Sequence, residues 1–511
     1  MKVQFDYKAK LKNILGKDKL IMLLLTIFIC KGIFYAFVLI PPTISASPDD
    51  VGHLSYIQYL VTEKKLPVLN ETGFEKQAGE KYSQTKIGQD ELGIDSWIQD
   101  DEYNYNIENG RNWIIQHPPL YYTIGAAVYS FFSIFTSNTS LLILVIRCLS
   151  IIAGAITLVY MNKTLNLLSV SKIVKYIACV LAVFSPSVQY HFSTISNDSL
   201  VICASAVALY HLINFIKNDK MKSYYIMVIF CAAIIWTKYT GGLIVLAYAI
   251  VFLHHVLTTK KMKQSMLITV KGAILGFLLL LPLFCFNLYH YGSLFVVANE
   301  QTKVFDFSFQ YFIEEIGYIR DLFKHMIAFI GFQISYRPTE FHIFLITCLM
   351  LGMAIISYKN YNTTNKAQNI SLYGSLLVFL TFYNLESGLY ASVCAAAIFI
   401  ILTKCLMGDT VSTNLDSKFS TKINRYMIAM IIVVVVIFAY QHYTIGLHKG
   451  RAGATHGRYY YIVMIPFLYI LTNALNKLSS KNQKYMLLST IILTIVCEVN
   501  MLTNCLEGWS W

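Results

Sequence analysis

The stretch "LIMLLLTIFICKGIFYAFVLIPPTISASPDDVGH", residues 20–53, decides the fold of this chain. Its first part, 20–40, is mainly apolar and has about the length that a helix needs to cross a bilayer. Soon after this run come two adjacent carboxylates, Asp49 and Asp50, with His53 one helical turn further on. The stretch therefore predicts a first transmembrane helix with acidic residues at its exit.

The composition extends this prediction to the whole chain. Of the 511 residues, 56% are hydrophobic and 14% are charged, whereas about 25% of the residues in soluble domains are charged. We therefore predict an all-α, polytopic membrane protein. The net charge of +13 is attributed to lysines in cytoplasmic loops. Binding of nucleic acid is not expected, because no basic stripe alternates with exposed aromatic residues.

The N-terminal segment 1–19 sets the orientation. It carries Lys8, Lys10, Lys12, Lys17 and Lys19, and basic residues mark the cytoplasmic side. The first helix then runs outward, and the acidic loop 41–119 lies outside. The alternative is a signal peptide cleaved near 45–47. An uncleaved helix is favoured, because the apolar run is long for a signal peptide and a proline follows the candidate cleavage site.

Two apolar segments, 120–135 and 141–160, follow the long loop. If both crossed the membrane, the lysines after them would lie outside, in conflict with the positive-inside rule. The lysines concerned are Lys163, Lys172, Lys175, Lys217, Lys220, Lys222, Lys260, Lys261, Lys263, Lys477, Lys481 and Lys484. We therefore predict that 120–135 is an interfacial helix on the outer side and does not cross.

The remaining apolar segments complete the predicted topology. They lie at 141–161, 173–190, 199–216, 223–240, 242–257, 268–288, 342–358, 370–384, 387–404, 426–443, 459–476 and 485–503. With the first helix they make about thirteen spans. The predicted units are the cytoplasmic segment 1–19, a transmembrane module 20–290, an extracytoplasmic loop 291–341 and a C-terminal transmembrane module 342–511. Segment 322–335 could re-enter the membrane.

Polar residues gather on the predicted outer face. The candidates are Asp49, Asp50, His53, His117, Arg147, Asn197, Asp198, Lys238 and Arg458. All except His53 have an ordinary explanation: the acidic groups and Asn197 as helix caps, the basic groups as residues that snorkel to the interface, and the histidine before two prolines as a structural residue. Their gathering on one face favours a binding site for an anion, and arginine suits phosphate.

This combination of groups suggests a chemistry. A carboxylate can take the proton of an acceptor hydroxyl as general base, and cations can stabilise the charge that builds on a departing phosphate. A sugar linked to a lipid phosphate would present such a leaving group. Asp49, Asp50 and Asp198 could also share a divalent metal, although a site without metal, in which the basic residues neutralise the phosphate, is slightly favoured.

Several motifs together resemble the GT-C superfamily of polytopic glycosyltransferases. They are "SPDDVGHLSYIQYL", "QHPPLYYTIGA", "IRCLSIIAGAITLVY", "SNDSL", "TKYTGGL" and "HGRYYYIVMIPFL", in this order. The similarity is to bacterial relatives of protein O-mannosyltransferases (glycosyltransferase family 39) and of the lipid A aminoarabinose transferase. Many relatives have Asp-Glu where this chain has Asp49-Asp50, which leaves open which of the two is the base.

The resemblance implies a GT-C fold and an inverting transfer of a sugar from a polyprenyl-phosphate donor. It places the active site on the outer membrane face, under the first loop. Asp49 and Asp50 would be catalytic, and Arg147, Asp198 and Arg458 would belong to the site. The acceptor could be a glycan, a lipid or a protein.

Two other functions stay open from the sequence. A flippase or polymerase of lipid-linked glycans would also have many spans and few buried charges. A transporter, however, has polar groups near the bilayer midplane and often repeated halves, and no internal repeat is visible here. The second alternative function is that of a non-catalytic component of surface-polymer assembly.

The chain is rich in Lys, Asn, Ile and Tyr, which is typical of a bacterium with an AT-rich genome. This composition favours the plasma membrane as the location.

Overall fold

The computed structural model describes residues 18–40, 50–69, 71–72, 112–296, 365–384, 415–449, 457–473, 475–477 and 479–506, with scattered positions between 347 and 403. Within these ranges the chain is helical and contains no strand. The all-α prediction is therefore confirmed.

Fourteen α-helices follow one another in the described part of the chain. They are α1 Lys19–Phe34, α2 Asp50–Glu63, α3 Leu120–Ser133, α4 Thr139–Leu167, α5 Lys172–Phe184, α6 Pro186–His191, α7 Asn197–Asn218, α8 Met221–Thr237, α9 Gly242–Thr259, α10 Met262–Tyr291, α11 Asn365–Asn384, α12 Leu415–Lys449, α13 Met464–Asn473 and α14 Ser480–Leu506. A π-helical turn, Tyr35–Leu39, extends α1.

Six segments among the described residues are long and apolar enough to cross a membrane. They are Lys19–Leu39, Thr139–Leu167, Asn197–Asn218, Tyr239–Thr259, Met262–Tyr291 and Phe419–Phe438. Three shorter apolar helices accompany them, at Met221–Thr237, Gln368–Leu380 and Tyr459–Ile470. These findings confirm a polytopic membrane protein. The total of about thirteen spans stays a prediction.

One end of the bundle is basic, and we call it the lysine end. There Lys175 Nζ donates to Asn166 Oδ1 (2.8 Å) and Lys217 Nζ donates to the Leu167 carbonyl (2.6 Å). Lys260 Nζ donates to Asp219 Oδ2 at 2.7 Å. The start of α5 and the ends of α4, α7 and α9 therefore meet at this end.

The opposite end, which we call the carboxylate end, contains the exit of α1 and the starts of α2, α4 and α7. Helix α3 begins here, where the Tyr121 hydroxyl accepts a hydrogen bond from Ser196 N at 3.1 Å. Since α4 reaches the lysine end only at its C-terminus, α3 enters and leaves on the same side of the bundle. This is the topology that the lysine pattern predicts, and the position of α3 at a membrane surface stays a prediction.

The predicted span 173–190 is divided into two helices. Helix α5 ends at Phe184, and a second helix, α6, begins at Pro186. The Ser185 hydroxyl caps the second helix by accepting from Val188 N at 3.4 Å. Proline lacks an N–H and suits the first position of a helix, so the pair Ser185-Pro186 ends one helix and starts another.

The C-terminal segments differ from their predictions in a similar way. The predicted span 459–476 consists of a 3₁₀ helix Gly457–Val463, the helix α13 and a 3₁₀ turn Leu475–Lys477. Predicted spans 342–358 and 387–404 have only scattered described positions, and segment 322–335 lies outside the described residues.

Close packing joins α1 to α4 in the middle of the bundle. Gly154 on α4 lies against Phe28 and Phe192, two rings in an edge-to-face contact with centroids 5.9 Å apart. A Cβ at position 154 would lie 2.6 Å from Phe28 Cζ and 2.7 Å from Phe192 Cγ. Both rings are buried, so neither can move aside without disturbing the core.

We expect Gly154→Ala to destabilise the protein by about 1–3 kcal/mol through overpacking. Thermal unfolding in detergent measures the change. Gly242→Ala is the control, because a Cβ at position 242 meets nothing within 4 Å. Equal melting temperatures for the two variants would show that the Gly154 contact is not tight.

Candidate functional site

The exit of α1 is shaped by its π turn. Ile40 N donates to the Tyr35 carbonyl at 2.8 Å, which is the i to i+5 bond of a π helix. Arg147 on α4 reaches this turn and its Nη1 donates to the carbonyls of Ala36 and Ile40, both at 2.9 Å. The arginine thus satisfies carbonyl groups at the end of the helix.

The same guanidinium faces the first acidic residue of α2. Arg147 Nη2 lies 3.6 Å from Asp50 Oδ2, and the two side chains are 0% and 1% exposed. Removing one partner of such a buried pair leaves an uncompensated charge. Arg147 therefore fixes the start of α2, where the acidic motif lies, against the end of α1.

Aromatic rings of α3 cover the first turns of α2. His53 Nδ1 hydrogen-bonds with the Tyr122 hydroxyl at 2.9 Å, and the two rings are stacked. The Tyr56 ring also stacks on Tyr122, with centroids 4.0 Å apart. His53 is thus buried between helices, and its ring is held in a defined orientation in the turn that follows Asp50.

The segment before α3 packs on α2 as well. Asn112 Nδ2 donates to the Gly52 carbonyl at 3.1 Å. A Cβ at Gly52 would come within 2.9 Å of Asn112 Oδ1 and still closer to Ile114, so this position requires glycine. His117 follows the 3₁₀ helix Trp113–Gln116, is half-buried, and donates its backbone N–H to the Ile114 carbonyl at 2.9 Å.

A second ion pair lies at the start of α7. Lys238 Nζ donates to Asp198 Oδ1 at 2.7 Å, with the two side chains 8% and 10% exposed. The ammonium also lies 5.2 Å from the centroid of the Tyr459 ring, within the range of a cation–π interaction. Asn197 Nδ2 donates to the Thr237 carbonyl at 3.4 Å. These contacts hold the end of α8 on the start of α7.

Tyr121 on α3 contacts both α4 and the segment that precedes α7. Its hydroxyl accepts from Ser196 N, next to Asn197, and lies 3.3 Å from Ser150 Oγ on α4. Burial raises the pKa of the Tyr121 phenol, the Ser150 hydrogen bond lowers it by less, and the Asp50 carboxylate raises it. The phenol is therefore neutral at physiological pH, and its hydroxyl connects α3 to α4 and to the residue before α7.

The predicted site residues are brought together to different degrees. Asp50, His53 and Arg147 form one group, and Asn197, Asp198 and Lys238 form the other. Asp49 lies outside the described residues. The backbone of Arg458 belongs to the 3₁₀ helix beside Tyr459, but its side chain lies outside the described part.

A divalent metal does not fit the carboxylates that the structure describes. Asp50 faces Arg147 and Asp198 binds Lys238, so each acidic group already has a basic partner. Among the described residues no group of three or more His, Cys, Asp and Glu side chains could hold a metal. What the arrangement offers is two carboxylates, the amine of Lys238 and the guanidinium of Arg147 at one end of the bundle.

Sequence reasoning did not select three groups that the structure brings to this region: Tyr121, Ser150 and Tyr459. Tyr121 stands in the quoted motif "QHPPLYYTIGA", but an aromatic residue in an apolar segment gives no signal of a hydrogen-bonding role. The sequence analysis also did not select the ion pair between Lys31 and Glu498, which lies farther along the bundle. The sequence contained a signal for this pair, because a lysine and a glutamate within two apolar segments indicate an ion pair.

Lys238 and Asp198 are expected to depend on each other. In a double-mutant cycle of Lys238→Met and Asp198→Asn, we expect a coupling energy of about 1–3 kcal/mol in the free energy of unfolding. The reason is burial, because each single change leaves the partner's charge unpaired away from water. Denaturation of the four proteins in the same detergent gives the value.

The Lys260–Asp219 pair is the matched control. It has the same distance of 2.7 Å, but the Asp219 side chain is 64% exposed. Its cycle is expected to give about 0–1 kcal/mol. A Lys238–Asp198 coupling as small as that of the control would contradict the view that this pair is energetically important.

The fold and the site together define a class: a polytopic helical membrane protein with paired charges gathered at one end of its bundle. Among known proteins, the family model described as dolichyl-phosphate-mannose-protein mannosyltransferase matches residues 116–286, a segment that contains Arg147, Asp198 and Lys238. This match supports the predicted resemblance and indicates a membrane glycosyltransferase of the GT-C type. Asp49 and Asp50 precede the matched segment. Neither a curated protein nor a solved structure is similar enough to count as a match.

Proposed function

We propose that the chain is an inverting glycosyltransferase that moves a sugar from a polyprenyl-phosphate donor to an acceptor hydroxyl. The observation that carries the proposal is the presence, at the carboxylate end, of two buried ion pairs, Asp50–Arg147 and Asp198–Lys238. The family match over residues 116–286 supports a donor of this class.

The reaction assigns a role to each group. One carboxylate of the Asp49-Asp50 pair takes the proton of the acceptor hydroxyl as general base. The acceptor oxygen bonds to the anomeric carbon from the face opposite the phosphate. The bond from that carbon to the phosphate oxygen breaks, and the phosphate keeps the electron pair. One displacement of this kind inverts the anomeric configuration.

Lys238 and Arg458 are assigned to the phosphate. The ammonium of Lys238 is held between Asp198 and the face of Tyr459, and Arg458 is the neighbour of that tyrosine in sequence. Positive groups fixed before the reaction stabilise the charge that develops on the leaving phosphate. Arg147 is assigned to Asp50, because its Nη1 donates to two backbone carbonyls and its Nη2 faces that carboxylate. His53, His117 and Asn197 complete the binding site around the sugar.

The carboxylate end is assigned to the outer membrane face. The lysine end then lies on the cytoplasmic side, as the distribution of basic residues requires, and the location is the plasma membrane. Helix α3 would lie at the outer surface, and its last turn and the residues directly after it carry exposed Phe131, Phe132 and Phe135. Aromatic side chains of this kind favour the interface between lipid and water.

Turnover of the donor tests the proposal. Purified protein in nanodiscs is mixed with a panel of polyprenyl-phosphate sugars and an envelope extract as acceptor, and the released polyprenyl phosphate is quantified. We expect release by the unaltered chain and by Asp219→Asn, a change at the lysine end. Donor binding without release across the panel would favour a flippase instead.

A further inference from the structure

A second charged cluster lies within the bundle, between α1 and α14. Lys31 on α1 forms an ion pair with Glu498 on α14, and its Nζ also donates to the Val183 carbonyl at 3.2 Å. The Tyr35 hydroxyl donates to the other carboxylate oxygen, Glu498 Oε2, at 3.0 Å. Both charged side chains are largely buried, at 16% and 12% exposure.

Charged side chains within transmembrane segments are costly and usually functional. A pair that only joined two helices could be replaced by apolar residues at little cost. Lys31 and Tyr35 are four residues apart and therefore lie on one face of α1. Glu498 thus holds α1 at two adjacent turns, directly before the helix changes its geometry.

That change is the π turn Tyr35–Leu39. Tyr35 takes part in both the contact with Glu498 and the π turn. Its hydroxyl donates to Glu498, and its carbonyl accepts the i to i+5 bond from Ile40 N. π turns within helices are frequent at functional sites. Two carbonyls of this region, those of Ala36 and Ile40, are the ones that Arg147 binds.

A continuous series of contacts therefore runs from α14 to the carboxylates. It passes from Glu498 to Lys31 and Tyr35, through the π turn to Arg147, and from Arg147 to Asp50. We propose that Glu498 is a positioning residue: it holds the π turn of α1 in the geometry that places Arg147, and thereby Asp50, for the transfer reaction. This inference rests on the proposed function.

The expected effect is on turnover rather than on donor affinity. In Glu498→Gln the side chain keeps its shape and its acceptor oxygen but loses its charge. We expect kcat to fall about 10–100-fold, because a small displacement of a catalytic group has an effect of this size. KM for the donor should change less than about twofold, since this pair is not among the residues assigned to the donor. Lys31→Glu combined with Glu498→Lys should restore part of the loss.

A spectroscopic signal reports on the π turn without any need for activity. Phe37 lies in that turn and is 43% exposed, so 4-fluorophenylalanine can be introduced there by codon suppression. We expect its fluorine resonance in nanodiscs to shift or split in Glu498→Gln and in Arg147→Lys. Asp219→Asn, the same kind of change at the lysine end, should leave the resonance unchanged. Tyr35→Phe keeps both charges and should give a smaller shift, which provides a second test if Glu498→Gln does not fold.

The outcomes separate this inference from the proposed function. A shifted resonance together with lower kcat and unchanged KM supports the inference. A resonance in Glu498→Gln identical to that of the unaltered chain overturns it, as does a rise in KM with unchanged kcat. Absence of turnover by the unaltered chain would overturn the proposed function, while the fluorine signal would still decide whether Glu498 and the π turn are coupled.

Discussion

The double variant Asp49→Asn/Asp50→Asn is expected to turn over a polyprenyl-phosphate sugar about 10²–10⁴-fold more slowly than the unaltered chain, the usual contribution of a general base. Asparagine has nearly the same shape as aspartate but cannot accept the proton of the acceptor hydroxyl. The measurement is the initial rate of polyprenyl phosphate release at saturating donor.

The two single variants identify the base. The single variant, Asp49→Asn or Asp50→Asn, that loses as much activity as the double variant identifies its aspartate as the base. The other aspartate then orients the motif. Asp50→Glu keeps the charge that faces Arg147, and donor binding by each variant separates loss of chemistry from loss of the fold. A double variant with a rate within about tenfold of normal would contradict the assignment of the pair.

Arg147→Leu is expected to lower the free energy of unfolding by about 3–5 kcal/mol. The leucine leaves the Asp50 carboxylate without its basic partner and removes the donor of the Ala36 and Ile40 carbonyls. All of these groups lie in the interior, where the loss of a partner is most costly. Unfolding by denaturant in mixed micelles measures the change.

Two further arginine variants make this prediction specific. Arg147→Lys keeps the charge but lacks the planar fork of donors, so we expect an intermediate loss. Arg425→Leu removes an arginine that is exposed and should change stability little. A loss for Arg147→Leu no larger than that for Arg425→Leu would show that the carbonyls and Asp50 find other partners.

The sequence was sufficient to predict the fold class. Apolar runs of span length and the positions of the lysines predict a multi-pass helical bundle, and they predict that 120–135 does not traverse it. What they could not predict is the break within 173–190. Hydropathy is continuous there, and only Ser185-Pro186, a cap followed by a proline, carries the local signal.

The candidate site was predictable as a set of residues but not as an arrangement. Charges that are rare in apolar segments, such as Arg147 and Lys238, stand out in a sequence. The groups that they bind do not stand out. Lys238 binds Asp198, 40 residues away, and Arg147 binds the Ala36 carbonyl, 111 residues away, and both contacts depend on how the helices pack. The sequence suggested phosphate as the partner of Arg147, whereas in the structure this guanidinium binds the end of α1 and faces Asp50.

The π turn and the role of Tyr121 had no signal of their own. A π turn needs one residue more than an α-helical turn, and no residue type marks it. A tyrosine hydroxyl at the surface of an apolar helix can face lipid headgroups or another helix equally well. Both features follow from contacts between segments far apart in the chain, and only the assembled bundle reveals them.

The Lys31–Glu498 pair has a consequence for how the protein is made. The two residues are 467 positions apart, and a ribosome that adds about 5–20 residues per second needs roughly 25–90 s to synthesise the chain between them. The first helix must therefore enter the membrane long before the residue that neutralises its lysine exists. A nascent chain that stops before Glu498 would carry the Lys31 side chain within the bilayer without its partner.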